Sequence, residues 1–193
     1  MKIPVSLALI IVCCTASLAR AEMWLDEEAL KELESITLLP IVLPPDVEFD
    51  SQAKGVKKAQ RELARQLALK GYVLDSPRKW ERPEQWSYEA MKAMAPEDIA
   101  GLAPESADHF AVGFIDSIAS SSNVVASKAD VTVSAKIIDR NTGKLVWSNS
   151  ESRMMSENIV TEGWLVMLLT GDELVAMYKA YIELFEELPD KEY

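Results

Sequence analysis

The chain offers little metal or redox chemistry. It has 2 Cys and 1 His in 193 residues, whereas zinc sites draw their ligands chiefly from those two residue types. Both cysteines, Cys13 and Cys14, lie in an N-terminal apolar segment. A chain that begins after that segment has no thiol, forms no disulfide, and depends on core burial for its stability. Glycine is sparse too. Gly143, Gly163 and Gly171 are scattered, so neither a phosphate-cradling loop nor a dinucleotide fingerprint is present, and no nucleotide or other cofactor is expected. Ser120-Ser121-Ser122 lacks the Gly-x-Ser-x-Gly frame of a nucleophile elbow and reads with Asn123 as a turn. Basic residues are outnumbered, 20 Lys+Arg against 31 Asp+Glu for a formal net charge of -11. Such a field repels a phosphate backbone, which excludes nucleic acid as a partner.

What the sequence does have begins with an address. Lys2 precedes the apolar run Ile3 to Cys14, too short for a membrane-spanning helix and suited to a signal-peptide core. Ala19-Arg20-Ala21 is an A-x-A pattern, so cleavage is expected between Ala21 and Glu22. That boundary assigns 1–21 to a signal peptide and 22–193 to the secreted chain. A second reading attaches lipid at Cys13 or Cys14, but the residues before them, Val12 and Cys13, are not the small residues such a site prefers.

Beyond Glu22 the pattern alternates between helix and strand. Leu25, Ala29, Leu30 and Leu33 fall at helical spacing over Glu22 to Ser35. Ile36 to Leu43 reads as a buried strand whose Pro40 sits at an edge or bulge. Over Ser51 to Lys70, Val56, Leu63 and Leu67 share a face, while Lys54, Lys57, Lys58, Arg61 and Arg65 point elsewhere. Gly71 stands where a left-handed cap stops a helix, and Tyr72-Val73-Leu74 resumes as strand. A helix is expected around Glu84 to Met94, and another opens at Pro96-Glu97-Asp98, where proline and acids suit a first turn.

Phe110, Val112, Phe114 and Ile118 alternate along a strand, interrupted by Asp116. Val131, Val133, Ala135 and Ile137 alternate along the next, and Asp139 to Lys144 turns into Leu145-Val146-Trp147. Leu174, Val175, Tyr178, Tyr181, Ile182, Phe185 and Leu188 form one face of a C-terminal helix over about 172–188. No repeat or linker divides the chain. The expectation is a single α/β domain with a mixed sheet, a long antiparallel meander and packed amphipathic helices.

The proline-ended strand, Leu69-Lys70-Gly71-Tyr72-Val73-Leu74, Pro96-Glu97-Asp98-Ile99 and Asp139-Arg140-Asn141-Thr142-Gly143-Lys144-Leu145-Val146-Trp147-Ser148 occur in that order. In this the chain resembles a family of bacterial lipoproteins of unknown function, of surface-antigen lipoprotein type, distantly similar to the CsgG, LpoB and TolB N-terminal domains. The resemblance covers about 36–152. It implies an α/β sandwich, an envelope address and a non-catalytic role in an assembly, and it carries no catalytic residues. The chain departs from the family at its lipid-attachment site and at Ser106-Ala107-Asp108-His109, where relatives have a Gly-Ala-Asp-Ala-like entry to a strand.

Few residues remain as candidates for chemistry. His109 beside Asp108 has no partner legible in sequence and reads as a strand-edge residue rather than a general base. Glu183, Glu186, Glu187, Asp190 and Glu192 lack the spacing of a calcium loop and read as a solvated acidic face. The basic residues of the 51–70 helix read as its solvent face, with an acidic partner or anionic lipid as the functional alternative. Trp164, Leu165, Val166, Met167, Leu168 and Leu169 form the most apolar stretch beyond Glu22, expected either in the core or on a partner surface. The functional expectation is a non-enzymatic periplasmic protein, with outer-membrane anchoring left open, that binds an envelope protein. Peripheral membrane contact and oligomerisation also remain open. An accessory of an outer-membrane transport or secretion complex and a secreted hydrolase using carboxylates stand as alternatives.

Overall fold

The computed structural model describes residues 23–47, 53–76, 80–122, 126–158 and 172–191. The cleavage pair Ala21 and Glu22, the cysteines Cys13 and Cys14, and the stretch Trp164 to Leu169 lie outside those residues. The elements are β1 (Trp24–Leu25), α1 (Glu27–Glu32), β2 (Ser35–Leu38), α2 (Ala53–Leu69), β3 (Val73–Asp75), α3 (Tyr88–Ala93), α4 (Pro96–Leu102), β4 (His109–Ser122), β5 (Ala126–Asp139), β6 (Leu145–Asn158) and α5 (Asp172–Leu184). One mixed sheet runs in the order β1-β6-β5-β4-β2-β3. β2 is parallel to β3 and β4, while β4, β5, β6 and β1 pair antiparallel. The α/β expectation holds.

Alternation along the strands gives the sheet two apolar faces, and different helices cover them. Val131, Val133, Ala135 and Ile137 meet Leu63 and Leu67 of α2 and Tyr181 and Phe185 of α5 in the larger core. Phe110, Val112, Phe114 and Ile138 meet Met91 of α3 and Ile99 of α4 in the smaller one. At the centre of the larger core Trp147 stacks on Phe185, with ring centroids 5.0 Å apart. Gly113 lets α2 approach, because a Cβ there would lie 2.8 Å from Leu63 Cδ2. Among the described residues no helix is long and apolar enough to cross a membrane.

Several elements differ from the sequence pattern. The first helix is shorter than its spacing suggests, because Trp24 and Leu25 pair with Ser148 and Trp147 before Asp26 caps α1. The proline-containing strand ends at Leu38, and only Val42 pairs again, with Phe114. β2 lies between β3 and β4, but its pairing with β3 ends at Thr37, so Pro40 stands at a break where the segment has a strand on one side only. Ser120 to Ser122 is strand and not turn. Those residues pair with Ala129, Lys128 and Ser127, since a long antiparallel partner supplies more hydrogen bonds than a local serine turn would. On the C-terminal helix and just beyond it Leu174, Tyr181, Phe185 and Leu188 are buried as expected, but the face is shifted, since Ala176, Met177, Ala180 and Leu184 are buried too while Ile182 is 49% exposed. The small Ala176 and Ala180 let the backbone of α5 lie close to the sheet.

Candidate functional site on the open face of the meander

Asp116 organises this site. Ile115 pairs with Val133 and Ser117 with Thr132, so Asp116 is the extra residue of a β-bulge. A bulge re-aims the side chains around it. Asp116 stays on the face of Phe114, while Ile118 comes opposite Val131 and packs on the larger core. The apolar face of β4 therefore ends at Phe114, and a carboxylate follows it.

Elements far apart in sequence converge on that carboxylate. Ser87 caps α3 through the backbone N–H of Ala90, and the helix carries Tyr88 and Lys92 to the sheet. Lys92 Nζ lies 2.6 Å from Asp116 Oδ1. It also donates to Ser134 Oγ at 2.8 Å. Tyr88 OH donates to the same Asp116 oxygen at 3.0 Å. Below them Phe114 packs edge-to-face on Tyr88 at 6.4 Å, and Lys92 Nζ sits 4.6 Å from the Phe114 ring centroid. Lys136 comes to the same ring from β5, with Nζ 5.8 Å from the centroid.

Charge and burial set the protonation of the group. Burial, reinforced by the Asp116 carboxylate, pushes the Tyr88 hydroxyl up to about 12. The Lys136 ammonium is pushed below the ordinary lysine value by burial and by the charge of Lys92, against the pull of Asp116. Around it the face is rich in hydroxyls. Ser148 stands opposite Lys136, Ser150 opposite Ser134 and Ser152 opposite Thr132, the last pair bonded at 2.8 Å. Met154 continues that face at 57% exposure. On their sides away from β5, β6 has no strand partner beyond Ser148 and β4 none beyond Phe114 among the described residues.

The residues singled out in the sequence lie elsewhere. His109 begins β4 opposite Asp139, where its charge helps hold the Asp139 carboxyl down. Asp108 accepts from Arg140 N through its backbone carbonyl at 2.8 Å. The C-terminal acids are dispersed, Glu183 pairing with Arg153 and Asp190 with Lys70. Lys54, Lys57, Arg61 and Arg65 are exposed on α2, and Arg65 pairs with Glu62 at 2.9 Å. A cavity of about 570 Å³ lies between α1 and the C-terminal tail, lined by Leu30, Tyr72 and Lys191 among others. Its polar groups fasten the tail: Tyr72 OH donates to Pro189 O at 3.0 Å, and Lys191 Nζ donates to the carbonyls of Lys31 and Leu33.

Sequence reading missed Lys92 and Lys136. The one available signal was Asp116, an acid breaking an apolar alternation.

No protein-family model and no curated protein matches the chain. Solved structures do. PelC from Paraburkholderia phytofirmans, solved as a dodecamer, is similar with 13% identity and a TM-score of 0.53, over 89% of this chain and 97% of that one. That likeness supports the same overall fold. The lipoprotein GNA1162 from Neisseria meningitidis has 22% identity and a TM-score of 0.47, over 70% and 92% of the two chains. The LpoB C-terminal domain from Salmonella enterica has 15% identity and a TM-score of 0.37, over 62% and 82%.

Proposed function

We propose that the chain is a non-enzymatic protein of the bacterial cell envelope that works by binding other protein chains in an assembly. The observation that carries this reading is the outer part of the β4-β5-β6 meander. There Ser117, Ser121 and Ser152 are exposed on the face of Met154, and the outer edges of β4 and β6 have no described partner. Open strand edges accept further strands. In a chain of net charge -11 this hydroxyl-rich surface is the region suited to contact. The Lys2 to Ala21 pattern supports export, and solved neighbours include proteins named as lipoproteins. The PelC dodecamer supports self-association as one form of that contact.

Crosslinking of the exported protein in envelope extracts, followed by mass spectrometry, tests the reading with Ser152→Arg beside the unsubstituted chain. The expected outcome is crosslinks mapping to β4 and β6 that disappear in a folded Ser152→Arg variant. Crosslinks that persist unchanged, or none to this face, would overturn it.

A further inference from the structure

We propose that Lys136, supported by Lys92 and the hydroxyl row, is a receptor for a single carboxylate group. The cluster holds two ammonium groups and one carboxylate, a local excess of positive charge in a chain of net charge -11. Asp116 is already engaged, taking both Lys92 and Tyr88 on one oxygen. Lys92 is engaged too, by Asp116 and Ser134. Lys136 lies over the Phe114 ring, within reach of the Lys92 and Asp116 charges, but makes no ion pair or hydrogen bond of its own among the described residues.

A partly buried charge without a partner is costly, and a cation beside a second cation more so. One carboxylate oxygen on the Lys136 ammonium relieves both costs, and Ser148, opposite Lys136 on β6, offers a hydroxyl to the other oxygen. One negative charge balances the cluster. A phosphate dianion would place a second, uncompensated charge near Asp116, so the site favours carboxylate. The inference stands on this cluster alone and does not depend on the envelope reading.

The test is thermal unfolding of the secreted chain, residues 22–193, at constant pH and ionic strength with chloride exchanged for acetate, for inorganic phosphate or for a short glutamate-rich peptide. Acetate and peptide are expected to raise Tm in a saturable way. Lys136→Met and Lys136→Gln are expected to remove that response, while Lys144→Met keeps it. NMR of the Lys136 ammonium in the unsubstituted protein gives an answer that needs no variant, with a saturable shift on acetate addition. A peptide that binds at least about tenfold more tightly than acetate assigns the carboxylate to a protein chain, and equal binding assigns it to a free small molecule. An equal response in the Lys136 variants, a Lys136 signal that does not saturate, or phosphate as effective as acetate would each overturn the proposal.

Discussion

The side-chain oxygen of Gln60 accepts the backbone N–H of Ile41 at 2.8 Å. The same amide donates to Leu39 O at 2.9 Å, so one α2 side chain takes both backbone groups that flank Pro40. Trp86 Nε1 donates to Pro40 O at 3.2 Å from the opposite face. Proline interrupts the sheet here, and two side chains replace what a neighbouring strand would give. The repaired segment then delivers Val42 to its bridge with Phe114, beneath the Lys92 and Asp116 pair.

Gln60→Ala leaves a buried donor and a buried acceptor unmet, because Leu39 and Ile41 are 0% and 2% exposed. The expected cost is about 3 kcal/mol, or about 10 °C in Tm. Gln60→Glu separates the two bonds. Its carboxylate cannot donate to Leu39 O at neutral pH, whereas the protonated acid can, so this variant is expected to lose less stability near pH 4 than near pH 7. Equal losses at both pH values would show that the bond to Leu39 O contributes nothing.

Gly113 meets α2 where the sheet is most tightly covered. A Cβ there would lie 2.8 Å from Leu63 Cδ2 and 3.2 Å from Ile41 Cγ1. Leu63 is fully buried and has little room to withdraw. Gly113→Ala is expected to cost about 2 kcal/mol as an overpacked core. Shortening the opposing side chain with Leu63→Val should recover part of that loss, so the two substitutions are expected to be non-additive in chemical denaturation. Strict additivity would show that the two positions do not meet.

Much of this architecture is legible in the sequence because it rests on local rules. α2 follows from Ala59, Leu63 and Leu67 with Gly71 behind them, and Gly71 is found at φ 87 with Tyr72 N donating to Leu67 O, a Schellman closure. Pro96 opens α4 as expected, and the Asp139 to Lys144 turn lies between β5 and β6. What escaped depends on distant partners. Trp24 and Leu25 are strand only because β6 has an edge to offer. Gln60 looks like one polar residue of a helix until the break at Pro40 is placed beside it. The expected face of α5 lies one step from its true centre, because large residues dominate the sequence pattern while the buried Ala176 and Ala180 sit on the covered side. Lys92, Asp116, Ser134 and Lys136 lie on three elements, and no spacing in the sequence brings them together.

The turn between β5 and β6 gives the clearest pH dependence. Asp139 Oδ1 accepts the backbone N–H groups of Asn141 at 2.8 Å and Thr142 at 3.2 Å, and Oδ2 accepts the Thr142 hydroxyl. Burial alone would raise the Asp139 carboxyl. The Thr142 hydroxyl, the two N–H groups and the charge of His109 outweigh it and hold the group below the ordinary aspartate value. A carboxyl depressed in the folded state adds stability that is fully present above its unfolded pKa and is lost as pH falls through the folded one. Asp139→Ala is therefore expected to lower stability by about 1 kcal/mol at pH 7. The gap from the unsubstituted protein should narrow only below about pH 4, where the unfolded carboxyl takes up its proton. Gly143 sharpens the test. Its φ is +69, and an added Cβ would lie 2.8 Å from Glu97 Cα on α4, so Gly143→Ala damages the same turn through strain and contact. That loss is expected to be independent of pH between 3 and 7. Thermal melts of the two variants across this range separate an electrostatic contribution from a steric one, and a pH-independent gap for Asp139→Ala would remove the carboxylate from the account of the turn.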